Sequence, residues 1–228
     1  EPWGRPVDPA RVEATLRDNP GTKVLAFVHA ETSTGVLSDA KALTEIAHRH
    51  GAIVVVDAVT SLGGVPLMVD EWGIDVAFAA SQKCLGAPPG LAPITFGPRA
   101  LEVMDRRRAP MQSWFFDMSL IRGYWSGGVK RAYHHTAPSN ALYGLHEALV
   151  MLHEEGIEAS WERHRRNHLV LCEEIEAMGL TLMVPPAYRL PQLNPVLVPE
   201  GVDEAQVRTR ILNEFNLEIG GAFGELVG

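Results

Sequence analysis

The sequence predicts an α/β chain: a mostly parallel sheet sandwiched by helices, followed by a smaller C-terminal α+β unit, both incomplete. Three observations carry this. The runs Ile53-Val54-Val55-Val56 and Val76-Ala77-Phe78-Ala79-Ala80 are continuously apolar and short, as strands covered on both faces should be. Strand, helix and strand alternate around them, which calls for parallel pairing through right-handed crossovers. The first run ends on Asp57 and the second leads into Ser81-Gln82-Lys83. That places opposite charges along one sheet edge, the edge where open α/β sheets bind ligands.

Taken in order, Asp8-Pro9 followed by Val12 and Leu16 reads as a capped amphipathic helix, and Asn19-Pro20-Gly21 breaks it. Residues 23–29 form a short apolar strand, and Thr32-Ser33-Thr34-Gly35 a polar loop at its carboxyl end. Residues 39–50 place Leu43, Ile46 and Ala47 at the period of a helix resting on a sheet. Gly51 ends that helix and residues 52–57 form the next strand. Residues 92–96 predict a further strand, antiparallel. Residues 98–139 are mixed. Ser139 opens a long helical stretch to Gly179, bent near Gly156. Beyond Pro185-Pro186, residues 195–198 and 217–219 read as strands and residues 203–215 as a helix.

The 228 residues allow one domain or two, with 46% hydrophobic and 21% charged residues, the balance of an ordinary soluble protein. A net charge of −8 argues against nucleic acid or an anionic membrane surface as partner. No apolar stretch approaches the roughly 20 residues a membrane helix needs. Cys84 and Cys172 match no zinc or disulfide spacing, so a reducing, cytoplasmic setting is expected. The chain opens on Glu1-Pro2-Trp3, has no methionine before Met68 and stops on Glu225-Leu226-Val227-Gly228. It reads as a piece of a longer polypeptide.

Lys83 follows Asp57 by 26 residues, room for a loop, a crossover helix and a strand. A lysine can hold pyridoxal phosphate as an imine and shuttle a proton once displaced. An ionised acid beside the ring nitrogen keeps that nitrogen protonated and makes the ring an electron sink. Taken singly, an acid at a strand end is often a helix cap and a lysine after a strand is usually solvated. The two together point to the cofactor.

The motifs then become specific. His29-Ala30-Glu31-Thr32-Ser33-Thr34-Gly35, Asp57-Ala58-Val59-Thr60-Ser61-Leu62-Gly63-Gly64 and Ser81-Gln82-Lys83-Cys84-Leu85-Gly86-Ala87-Pro88-Pro89-Gly90 resemble the class V aminotransferases. Tyr133-His134-His135-Thr136 and Arg189-Leu190-Pro191 narrow the resemblance to the alanine–glyoxylate and serine–glyoxylate branch. It runs through essentially the whole chain and implies the fold-type I architecture of pyridoxal-phosphate transferases. Residues 1–150 would be the C-terminal part of the large cofactor domain and 151–228 the start of a small one.

The resemblance implies catalytic roles for Lys83, as Schiff-base lysine, and for Asp57, as partner of the pyridine nitrogen. Gln82 would bind the cofactor phosphate, Thr32 would lie against the ring or its phenolic oxygen, and Val59 would pack on the ring face opposite substrate. Tyr133 and Thr136 would hold the phosphate of the other subunit, making a homodimer with shared active sites. The implied substrates are a small amino acid, alanine or serine, and the 2-oxo acid glyoxylate, in a ping-pong exchange. The family's phosphate loop and stacking tryptophan would precede residue 1, so Trp3 is not that tryptophan. The arginine that grips the substrate carboxylate would follow Gly228.

Other readings compete. A cysteine desulfurase would resemble a pattern with histidine before the lysine, where Gln82 stands, and would need a cysteine on a mobile loop. A non-catalytic fragment could keep the fold alone. A dinucleotide-binding Rossmann domain lacks its G-x-G-x-x-G here. No metal site is expected. Adjacent His134 and His135 should point apart on a strand. His164 and His168, one turn apart beside Arg165 and Arg166, read as a solvated helix face. Trp114, Phe115, Phe116, Tyr124 and Trp125 read as core or interface filling, and Cys84 as packed under the cofactor loop.

Overall fold

The computed structural model describes residues 1–125 and 133–222; Lys130 and the closing residues 225–228 lie outside them. Helix α1 (Pro9–Asp18) starts at Asp8, whose carboxylate accepts from the Ala10 amide at 2.9 Å. Strand β1 (Val24–Val28) follows, then a small antiparallel ribbon of β2 (Ala30–Glu31) and β3 (Val36–Leu37) with Thr32–Gly35 at its tip. Asp39 caps α2 (Ala40–Arg49) by accepting from Ala42 N at 2.9 Å. Such caps contribute about 1 kcal/mol each. Strands β4 (Ile53–Asp57), β5 (Val76–Phe78) and β6 (Ile94–Phe96) complete a four-stranded sheet in the order β1-β4-β5-β6.

Pairing of β1 with β4 and of β4 with β5 is parallel, and β6 is antiparallel, as the sequence predicts. Val28 stands opposite Asp57 and Asp57 opposite Phe78, so all three parallel strands end at one level. Val54, Val56 and Ala77 are buried with Ala47 of α2, while Ile53, Val55 and Asp57 are only half-buried on the other face. Cover on both faces was expected; full burial is found on one. Leu43 and Ile46 of α2 are also sealed, each worth about 1.5–3 kcal/mol of burial.

Helices α3 (Pro98–Asp105) and α4 (Met118–Trp125) occupy the mixed region. Helix α5 (Ser139–Glu155) meets α6 (Ile157–Ala177) at Gly156, whose φ of +86° breaks the rod where a bend was predicted. Helix α7 (Glu204–Phe215) is capped by Asp203. Two expected strands are not present. Residues 217–219 form no strand and pair with none among the described residues; Leu217 N donates back to Ile211 O of α7 instead. Residues 195–198 make only a bridge, with Met183 N donating to Pro195 O and Leu197 N to Thr181 O. Pro195 and Pro199 have no N–H to extend that ladder.

Candidate active site

The carboxyl edge of the sheet gathers three loops. After β4 the Asp57 carboxylate turns back to accept from Val59 N at 2.9 Å through Oδ1; its Oδ2 has no protein partner among the described residues. Asp75 provides the contrast. At the opposite edge, just before β5, its buried carboxylate receives Val54 N (2.8 Å), His48 Nε2 (3.0 Å) and Arg99 Nη1 (3.2 Å). Asp75 is satisfied and structural, whereas Asp57 keeps one acceptor for a ligand.

Beyond β5 the chain makes a closed loop pinned by Ser81. Its fully buried hydroxyl donates to Pro88 O at 2.6 Å and accepts from Leu91 N at 3.3 Å, and its amide donates to Leu91 O. Gln82 and Lys83 ride exposed on this loop, and Lys83 closes a tight turn by accepting from Gly86 N at 2.9 Å. The Lys83 amine makes no hydrogen bond or ion pair among the described residues.

Contacts through Thr60 bring the three motifs together. Thr32 Oγ1, at the ribbon tip, lies 3.3 Å from Thr60 Oγ1. Cys84 Sγ, next to Lys83, donates to Thr60 O at 3.4 Å. Burial pushes the Cys84 thiol up, so it stays protonated and acts as this donor. A Cβ on Gly64 would lie 2.7 Å from Cys84 Sγ, so only glycine lets the loops approach this closely. Thus Asp57, Val59, Thr32, Gln82 and Lys83 belong to one junction, with Val59 half-buried beside Asp57. Thr60, Ser81 and Gly64 lie within the sequence motifs, but their roles as contact points between loops depend on long-range packing that the sequence does not display.

Tyr133 and Thr136 form a separate cluster. Their hydroxyls lie 2.6 Å apart, both exposed, with no hydrogen bond to the Asp57–Lys83 junction among the described residues. The segment is irregular rather than a strand, and the His134 and His135 Nδ1 atoms lie 2.8 Å apart. The expectation that these rings point apart is therefore wrong; Trp114 stacks on His134 at 4.1 Å and holds it in. Trp114, Phe115 and Phe116 are exposed in this chain, Tyr124 is half-buried, and the Trp125 side chain lies outside the described part. His168 is buried rather than solvated, its Nδ1 bonded to Asn194 Oδ1 at 2.5 Å, and His164 Nδ1 bonds Ser160 O.

A lysine amine and a carboxylate oxygen without protein partners among the described residues, with the Thr32 and Thr60 hydroxyls on the loops beside them, form a set of polar groups that fits pyridoxal phosphate.

This junction on this sheet defines a class of protein, and comparison with known proteins agrees. A model of the family "Aminotransferase class-V" matches residues 4–221, and the chain belongs to that family, whose cofactor is pyridoxal phosphate. It is 36% identical over 244 residues to the (S)-ureidoglycine–glyoxylate transaminase of Bacillus subtilis, covering 99% of this chain and 58% of that protein. It is 38% identical over 207 residues to the alanine–glyoxylate aminotransferase of Callithrix jacchus, covering 90% and 50%. The crystal structure of an alanine–glyoxylate aminotransferase from Nostoc sp. superposes with a TM-score of 0.92 at 45% identity, over 100% of this chain and 60% of that one. The fold is therefore fold-type I. The chain spans about half the length of the curated relatives it matches.

Proposed function

We propose that the protein transfers an amino group from alanine or serine to glyoxylate by a ping-pong exchange, with Lys83 and Asp57 as its catalytic residues. The observation that carries this reading is the Thr60 junction, which joins the loops of Thr32, Asp57 and Lys83 at the carboxyl ends of parallel strands.

Bound pyridoxal phosphate supplies an electron sink for the pair left when an amino acid loses its Cα proton. The chain's residues do the rest. Lys83 Nζ would hold the cofactor through its amine; released by the incoming substrate amine, it would carry the donor's Cα proton across to the cofactor in the first half of the exchange and would move a proton the opposite way, onto the glyoxylate-derived carbon, in the second. Asp57 Oδ2 would face the pyridine nitrogen and keep a proton on it by its negative charge. Thr32 would lie against the ring or its phenolic oxygen, and Val59 would cover the ring face opposite substrate. Gln82, with Tyr133 and Thr136 of the other subunit, would hold the phosphate. The donor leaves as its 2-oxo acid and glyoxylate leaves as glycine.

A homodimer with shared sites, a cytoplasmic setting and a division into residues 1–150 and 151–228 complete the proposal. The exposed hydroxyl pair of Tyr133 and Thr136 suits a site on a second subunit. A desulfurase reading loses support because Cys84 is tied to Thr60 O and Cys172 is buried on α6.

The test is product formation by the intact protein loaded with pyridoxal phosphate. Glyoxylate with alanine or serine should yield glycine with pyruvate or hydroxypyruvate. Product from ureidoglycine alone would replace the donor, and no product from any of the three would contradict the reading.

A further inference from the structure

Residues 189–195 form a strap that crosses all three loops of the junction. Arg189 bridges to Val36 of the ribbon, and Leu190 N donates to Gly35 O at 2.8 Å. Leu190 is fully buried with Ala30 and Val65. Gly35, at φ +71°, admits the strap because a Cβ there would lie 2.7 Å from Pro195 and 2.8 Å from Leu193 O. At the far end, Asn194 holds His168 of α6.

In the middle of the strap, Gln192 Nε2 donates to Thr60 O at 2.8 Å, across 132 residues of sequence. Thr60 O is the oxygen that also receives the Cys84 thiol. Two donors fill both lone pairs of that carbonyl, which fixes the loop after Asp57 against the turn that carries Lys83. Gln192 also packs on the bare face of Gly64, where a Cβ would lie 2.7 Å from Nε2. Its other amide atom, Oε1, is buried with no partner. An unsatisfied buried acceptor opposes folding, so an apolar side chain would serve packing better; what the glutamine adds is its N–H on Thr60.

We propose that Gln192 is a positioning residue for the Asp57–Lys83 pair, locking their spacing through the Thr60 carbonyl. The proposal rests on the reading of Lys83 and Asp57 as the cofactor residues.

The holoenzyme tests it with Gln192→Met, which keeps the volume and removes the donor. The readouts are the pH midpoint of the cofactor's visible absorbance band and the rate of cofactor release to a phosphate-buffered trap. Gln192→Met should move the midpoint by about half a unit or more and speed release by about five- to ten-fold, the scale of one lost hydrogen bond. Asn194→Ala, which frees the strap from His168 and Cys172 of α6 and removes the amide's bond to Pro191 O while leaving Gln192 on Thr60, should lower the melting temperature and leave the midpoint in place. If Gln192→Met does not fold, Gln192→Asn, an amide one methylene short of Thr60, takes the same two measurements. An unchanged midpoint and release rate, or equal shifts in the Asn194 variant, would overturn the proposal. A wild-type protein without a visible band would remove the cofactor reading beneath it, a separate outcome.

Discussion

Asp57 closes β4 and Asp75 stands just before β5, at opposite edges of the same sheet, and of the two only Asp57 keeps a carboxylate oxygen without a partner among the described residues. Asp75 is saturated by Val54, His48 and Arg99, whereas Asp57 binds Val59 N through one oxygen alone. The two acids should therefore respond to the same substitution in opposite ways.

Asp57→Asn should fold normally and keep the cofactor but lose most transamination. A neutral amide cannot hold a proton on the pyridine nitrogen, and loss of such a fixed charge costs on the order of several kcal/mol in the barrier. Steady-state rates beside a denaturation curve check this. Near-normal turnover would make Asp57 a structural turn residue.

Asp75→Asn should do the reverse. Removing the charge shared by Arg99 and His48 should lower stability by about 2 kcal/mol, the scale of hydrogen bonds to charged groups. Cofactor spectrum and turnover of the surviving folded protein should match the wild type. Denaturant melts with a parallel rate assay separate the two outcomes.

His29 makes stability depend on pH. It is 3% exposed against the edge of Trp72, and burial pushes its imidazole down to about 4, against an opposing pull from Asp39. The unfolded chain titrates this group near 6.5. As pH falls from about 6.5 to about 4 the unfolded state takes up a proton that the folded state refuses, so stability declines across that window and levels off below it. The full loss from this group is up to about 3 kcal/mol. In His29→Gln the melting temperature should fall less steeply over the same range. An identical pH slope in both proteins would show that another group is responsible.

The shared site predicts complementation between subunits. Chains carrying Thr136→Ala, mixed with chains carrying Lys83→Ala, should form heterodimers in which one site holds both lesions and the other none. Two poorly active parents should then recover up to about half the normal activity per heterodimer. Full activity of a sedimenting monomer, or no recovery despite proven subunit exchange, would rule the shared site out.

Much of the sheet was legible because its signals are local. Apolar runs mark β1, β4 and β5, and Asp8, Asp39 and Asp203 sit where helix caps belong. The β2–β3 ribbon escaped notice because two residues per strand are too few to show alternation. Residues 217–219 looked like a strand because Leu217 and Ile219 alternate with Glu218, yet a strand needs a partner and the described residues offer none. At the site, Lys83 and Asp57 could be read from strand ends, whereas Gln192 could not, since its contact joins residues 132 apart. The His134–His135 contact was misjudged because a strand was assumed where stacking on Trp114 governs.

The most direct measurement for the whole account is reduction of the cofactor-loaded protein with borohydride, followed by peptide mapping. The label should fall on Lys83, whose exposed amine has no protein partner among the described residues beside the Thr60 junction. A label on Lys23, Lys41 or Lys130 would contradict the central claim, because none of them lies in the turn that follows β5.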